Sequence, residues 1–173
     1  SLKIEGRGKT FYYVASVTSA YRRALDAAVM LGENYRCPDD VLEELSRTSH
    51  RRYSPGFYFG PEHAIQNTHT GGYIRDWDLI AVCESCDGEM AYCTQRGKFQ
   101  LGDTLEALTP SGQRYEFEPV FILDEEGRPI QSTPHAMMKF SIPCMRMLPP
   151  KTIFRKRRAP QTQAPDTRKE EPV

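Results

Sequence analysis

Three groups of residues in this chain have types and spacings that could do chemistry. The first is Glu5-Gly6-Arg7-Gly8-Lys9. An ionised carboxylate beside a guanidinium can orient an anionic group such as a carboxylate or phosphate, and the same pair can equally serve as a structural ion pair. The second is Cys83-x-x-Cys86 with Cys93 one hairpin away. With Cys144 or His135 these could supply four ligands for zinc, the Asp87-Gly88 turn resembling a knuckle. Cys83 and Cys93 also fall in strand-like runs, where a free cysteine is simply a small buried hydrophobe. The third is Lys151, Arg155, Lys156, Arg157 and Arg158, a local positive patch to which Arg22-Arg23 and Arg51-Arg52 add others. Such patches contact phosphates without reading sequence, and a solvated face is the competing reading. His135 has no partner that would make it a general base, so a loop histidine is the simpler account. The sequence contains no Gly-x-Ser-x-Gly, so a serine-nucleophile reading finds no support.

The elements that must position these residues differ between the two ends of the chain. Leu2-Lys3-Ile4-Glu5 alternates like a strand. Gly6 to Lys9 then turns the chain into a helix that Thr10 can cap, with Tyr13, Val14, Val17, Tyr21, Leu25 and Ala28 at helical spacing up to the stop at Leu31-Gly32. Pro38-Asp39-Asp40 predicts a second helix start, with Val41, Leu42 and Leu45 as its stripe and an end near Ser49-His50. Tyr53 to Gly72 is rich in aromatics and glycine and has neither period, which suggests an ordered linker whose aromatics glue it to its neighbours. These aromatics could also offer stacking platforms for single-stranded RNA.

From Tyr73 the pattern is strand-like. Runs at Leu79–Cys83, Glu89–Gln95, Thr104–Leu108, Arg114–Leu123, Met137–Ile142 and Thr152–Phe154 are separated by turn residues, including Gly102-Asp103. These predict a small antiparallel β-barrel, since closing the sheet would remove exposed edges. After Phe154 the basic run leads into a Pro- and Gln-containing tail with little to bury, which predicts disorder.

Bulk properties narrow the classes. Lys plus Arg and Asp plus Glu both total 23 in 173 residues, so there is no global pull toward nucleic acid or an anionic membrane, and any basic site must be local. No run of about 18 apolar residues and no signal-peptide pattern occurs, so no membrane partner is expected. Five cysteines, an odd number in a chain of this size, point to reduced thiols and a cytoplasmic location.

Leu2-Lys3-Ile4-Glu5-Gly6-Arg7, Lys9, Tyr12-Tyr13-Val14-Ala15, Ala20-Tyr21-Arg22, Ser49-His50-Arg51, Gly56-Phe57-Tyr58-Phe59-Gly60 and Gly72-Tyr73-Ile74-Arg75-Asp76 together resemble the end of the catalytic domain in the collagenase-like peptidase family, peptidase family U32. Gln95-Arg96, Gly102-Asp103, Pro134-His135 and Met137-Met138-Lys139 resemble the small barrel that follows it. The resemblance implies an α+β chain that is the C-terminal part of a larger protein. Residues 1–50 would be the terminal strand and helices of a TIM-like barrel, 51–72 a linker, 73–157 a β-barrel similar to translation-factor barrel domains, and 158–173 a disordered tail. Catalytic residues of such barrels sit at strand ends, which makes Glu5, Arg7 and Lys9 the catalytic candidates. Gly8 departs from the methionine common in the family. The resemblance further implies a peptidase-type parent or a prephenate-dependent tRNA or rRNA hydroxylase, with RNA or a polypeptide as substrate. The barrel would be a binding, positioning or assembly module, and the chain alone would be inactive. An iron–sulfur cluster, where members carry one, would be held by cysteines upstream of this chain, and the missing N-terminal catalytic domain would be its first partner.

Overall fold

Helix α1 begins where the sequence supplies a cap. In the computed structural model, which describes residues 2–63 and 72–159, Thr10 is extended and its side chain accepts the Tyr13 backbone N–H at 3.4 Å. The helix then runs Phe11–Leu31 and is closed by Gly32, whose φ of 53° a glycine adopts at little cost. Replacing Thr10→Ala should lower stability by about 0.5–1 kcal/mol, the lower part of the capping range because the bond is long. Paired thermal melts check this.

Helix α2 spans Asp39–Ser46, with Asp39 and Asp40 at its positive end. It stops short of the expected Ser49-His50. The N–H groups of Arg47 and Thr48 tighten onto the carbonyls of Glu44 and Leu45, and His50 leaves to form an antiparallel bridge with Ile74.

The buried faces of both helices differ from the apolar stripes read in the sequence. On α1 the inward residues are Tyr12, Ser16, Val17 and Ala20, while Val14, Tyr21 and Leu25 lie exposed. On α2 they are Val41 and Glu44, with Leu42 exposed.

The second half is one antiparallel sheet of eight strands. They are β1 (Trp77–Cys86), β2 (Met90–Gln95), β3 (Leu105–Leu108), β4 (Arg114–Phe117), β5 (Ile122–Asp124), β6 (Pro129–Ile130), β7 (Lys139–Pro143) and β8 (Ile153–Arg157), in the spatial order β4-β3-β8-β1-β2-β7-β5-β6. Among the described residues β4 and β6, at the two ends, share no ladder, so pairing does not close the ring. Ile80, Phe99, Leu105, Ile122, Phe140, Ile142 and Phe154 fill the core that the sheet wraps. The predicted strand Arg114–Leu123 is two strands. Pro119, which has no N–H for a ladder, lies between β4 on β3 and β5 on β7. The short β6 follows the Asp124–Gly127 turn, in which Asp124 Oδ1 accepts the N–H groups of Glu126 and Arg128.

The chain is therefore α+β, two α-helices followed by an antiparallel sheet. The predicted strand Leu2 to Glu5 forms no ladder among the described residues and is exposed. Phe57, Tyr58 and Phe59 are exposed rather than packed as glue, whereas Tyr53 bonds the Leu45 carbonyl at 2.9 Å and stacks on His50. Residues 64–71 of the expected linker, and the tail from 160 onward, lie outside the described residues. Among the described residues no helix is long and apolar enough to cross a membrane.

Candidate functional site

The most heavily built polar site lies between the helices and the sheet. Strand β8 alternates, so Phe154 enters the core that the sheet wraps while Ile153 and Arg155 face the helices. Ile153, Leu108 and Tyr12 make a small apolar contact there, flanked by Leu79. Beside it Arg155, fully buried, grips Glu44 of α2 with two parallel hydrogen bonds of 2.6 Å. Its Nε donates to Glu106 of β3 at 2.7 Å, and Nη1 also reaches the Tyr12 hydroxyl at 3.0 Å. Tyr12 in turn donates to the Arg47 carbonyl at 3.1 Å.

Arg47 binds the other oxygen of Glu106 and, at 2.7 Å, Glu43. Glu43 also accepts from Arg114 of β4 at 3.0 Å. Both guanidiniums lie over the Trp77 ring, Arg47 at 4.5 Å and Arg155 at 5.3 Å. Burial alone would lower the pKa of Arg155, but the Glu44 hydrogen bonds and the charges of Glu44 and Glu106 outweigh it and the net shift is upward. Burial raises the Tyr12 phenol. Hydrogen bonds from Arg47 and then Arg114 lower the Glu43 carboxyl. These ion pairs and hydrogen bonds tie α1 and α2 to the sheet, and removing one partner would leave a buried charge uncompensated.

This network changes the reading of the basic run. Arg155 is withdrawn from any nucleic acid contact by its burial. Lys156 bonds Asp103 at 2.6 Å, Arg158 bonds Asp78 at 2.8 Å and Lys151 pairs with Glu84 at 3.2 Å. Lys151 and Arg157 are exposed. Arg157 borders a polar groove of about 570 Å³ that Arg47, Trp77, Glu106 and Asp76 also line. Of the neighbouring arginines, Arg22 pairs with Asp26 and Arg23 with Asp40, and Arg51 lies over Tyr73.

The three candidates near the N-terminus are not drawn into one pocket. Glu5 accepts the backbone N–H of Arg7 at 3.1 Å and lies 3.8 Å from Lys3, on an exposed loop. Lys9 instead donates to the Ser49 carbonyl at 3.0 Å and sits over the Tyr73 ring at 4.0 Å, tying the N-terminal loop to the His50–Ile74 bridge.

Cys83 and Cys93 face each other across β1 and β2 in the core, and Cys86 makes its sulfur contact with Cys144. Among the described residues no group of three or more His, Cys, Asp or Glu side chains is arranged to hold a metal ion, so Cys83, Cys86 and Cys93 are not assembled as ligands. His135 is exposed in a turn.

Sequence comparison assigns both halves. Residues 1–68 match the model of Peptidase family U32 and residues 75–155 that of the Peptidase family U32 C-terminal domain. The chain belongs to peptidase family U32, of which it carries the C-terminal region. It is 30% identical to tRNA hydroxylation protein P1 of Bacillus subtilis over 159 residues, covering 90% of this chain and 38% of that protein. It is 36% identical to tRNA hydroxylation protein P of Escherichia coli over 115 residues, covering 65% of this chain and 25% of that protein. The chain thus spans well under half the length of these relatives. A crystal structure of the C-terminal domain of a Geobacillus thermoleovorans U32 peptidase aligns with a TM-score of 0.44 and 23% identity, covering 46% of this chain and 99% of that domain.

Proposed function

We propose that this chain is the C-terminal region of a tRNA-hydroxylating member of its family, in which the sheet domain positions the RNA. The observation that carries this reading is the similarity to a tRNA hydroxylation protein over 90% of the chain, which takes in the helices and the sheet together. The buried Arg155 network supports it mechanically, because a module joined rigidly to α1 and α2 can hold a macromolecule at a fixed place relative to whatever those helices pack on. The exposed apolar face of α1, with Val14, Tyr21 and Leu25, is suited to pack on an upstream TIM-like barrel, with Leu2–Glu5 as one of its strands. In that setting Glu5 and Arg7 would stand at the strand end and orient an anionic part of the substrate, while Lys9 braces the loop. An iron–sulfur cluster, as the family resemblance implies, would draw its ligands from the upstream part. The parent protein would work in the cytoplasm.

The RNA contact falls to the basic side chains that remain exposed, Lys151 and Arg157 above all. Binding of tRNA measured by fluorescence anisotropy at several salt concentrations should weaken severalfold in the Lys151→Ala/Arg157→Ala double variant. The slope of log K against log salt should fall by roughly 1–2, one for each phosphate no longer neutralised. Unchanged affinity and slope in a folded double variant would remove these residues from the interface.

A further inference from the structure

The last residue of β1, Cys86, and the residue that follows β7, Cys144, bring their sulfurs to 3.1 Å. A disulfide bond needs ~2.05 Å, so about one ångström of approach separates contact from bond. Both side chains are half-buried at the end of the sheet, within reach of a small reagent. The other thiols differ in one respect or the other. Cys83 and Cys93 oppose each other but are 0% and 3% exposed, and Cys37 is exposed just ahead of α2, where its sulfur meets the Pro38 carbonyl.

We propose that Cys86 and Cys144 form a reversible thiol–disulfide pair whose oxidant is a low-molecular-weight disulfide of the glutathione type. Cys86 is the attacking sulfur. It accepts the Gly88 backbone N–H at 3.4 Å, so a developing negative charge there meets a donor. Burial, then the neighbouring Cys86, pushes the Cys144 thiol up to about 12, which keeps its proton in place until the second step.

In the first step Cys86 gives its proton to water and its thiolate attacks one sulfur of the oxidant, forming a mixed disulfide and releasing one small thiolate. In the second, Cys144 gives its proton to that thiolate, and its sulfur attacks Cys86 Sγ and expels the second small thiolate, which takes up from water the proton that Cys86 released. Two protein thiols are oxidised to one disulfide and one small disulfide is reduced to two thiols. The bond would staple the Asp87-Gly88 hairpin turn to the β7–β8 connection. That connection carries Arg146 over the Tyr115 ring at 4.0 Å and the exposed Met145 and Met147.

The test uses the full chain, reduced and then equilibrated with glutathione disulfide. A glutamate-specific protease cuts after Glu84 and Glu89, which places Cys83, Cys86 and Cys93 in three different peptides. The expected result is a cross-link between the Ser85–Glu89 peptide and the peptide holding Cys144. It should show the loss of two hydrogens, reversal by dithiothreitol and a higher melting temperature in the oxidised form. Cys144→Ser should instead accumulate glutathione on Cys86. The proposal is overturned if oxidation joins Cys83 to Cys93, if glutathione is taken up only at Cys37, or if Cys86 and Cys144 remain free thiols.

Discussion

Arg155→Ala should lower the folding stability by about 3–5 kcal/mol and the melting temperature by roughly 6–20 °C, far more than any exposed basic residue of the same run. The reason is what the substitution leaves behind. Glu44 and Glu106 are 2% and 3% exposed, and without Arg155 the carboxylate of Glu44 loses both of its 2.6 Å partners. Arg47 still holds one oxygen of Glu106, but its bonds go to Glu106 and Glu43 rather than to Glu44.

Arg155→Lys should recover only part of the loss, because an ammonium cannot meet two oxygens of Glu44 in one plane while also reaching Glu106. Arg155→Met combined with Glu44→Leu should restore a large part of it, because Glu44 is no longer stranded and Glu106, though it loses the Arg155 donor, keeps Arg47. Denaturant unfolding of the four chains distinguishes these outcomes. A cost below about 1 kcal/mol for Arg155→Ala, the range of surface ion pairs, would mean that the network is hydrated and does not weld helices to sheet.

That network also marks where the sequence stops being readable. Local signals were legible: Thr10 before an apolar period, Gly32 after it, Asp39-Asp40 at a helix start, and Gly102-Asp103 between strands all lie where the structure has a cap or turn. Each acts within a few residues of itself. Arg155 acts through partners 49 and 111 residues away, and in the sequence it is one of four consecutive basic residues. The available hint was strand alternation, since Ile153 and Arg155 must share a face if Phe154 is core. Glu44 hid in the same way, three residues after Val41 on the inward side of α2, where a glutamate is not expected without a buried cation. Glu5, Arg7 and Lys9 illustrate a different limit. Their grouping was visible, but the turn at Arg7-Gly8 spreads them, and Leu2–Glu5 has no ladder partner among the described residues to fix which way it faces.

Gly97→Ala should be the most damaging of the glycine replacements in the sheet, costing about 2–3 kcal/mol, the upper part of the range for forcing extra volume into a packed region. A Cβ at this position would lie 2.3 Å from the Leu79 carbonyl oxygen, which is backbone and cannot swing away. The tight approach follows from β1 itself, whose register with β8 shifts between Leu79 and Ala81. There the N–H groups of Arg96 and Gly97 both reach the Ile80 carbonyl, at 2.7 and 2.9 Å. Gly127 is the informative contrast. Its φ of 77° strains any L side chain, yet nothing lies within 4 Å of a Cβ there. Asparagine adopts that backbone conformation more readily than other L residues and fits open space, so Gly127→Asn should cost only about 1 kcal/mol, less than Gly97→Ala. Gly97→Asn should be worse than Gly97→Ala, because at position 97 the obstacle is volume. Hydrogen exchange at the amides of residues 96 and 97 should lose protection in the Gly97 variants and keep it in Gly127→Asn. Equal costs for alanine at the two positions would show that β1 can move aside, and that the close approach does not hold the register.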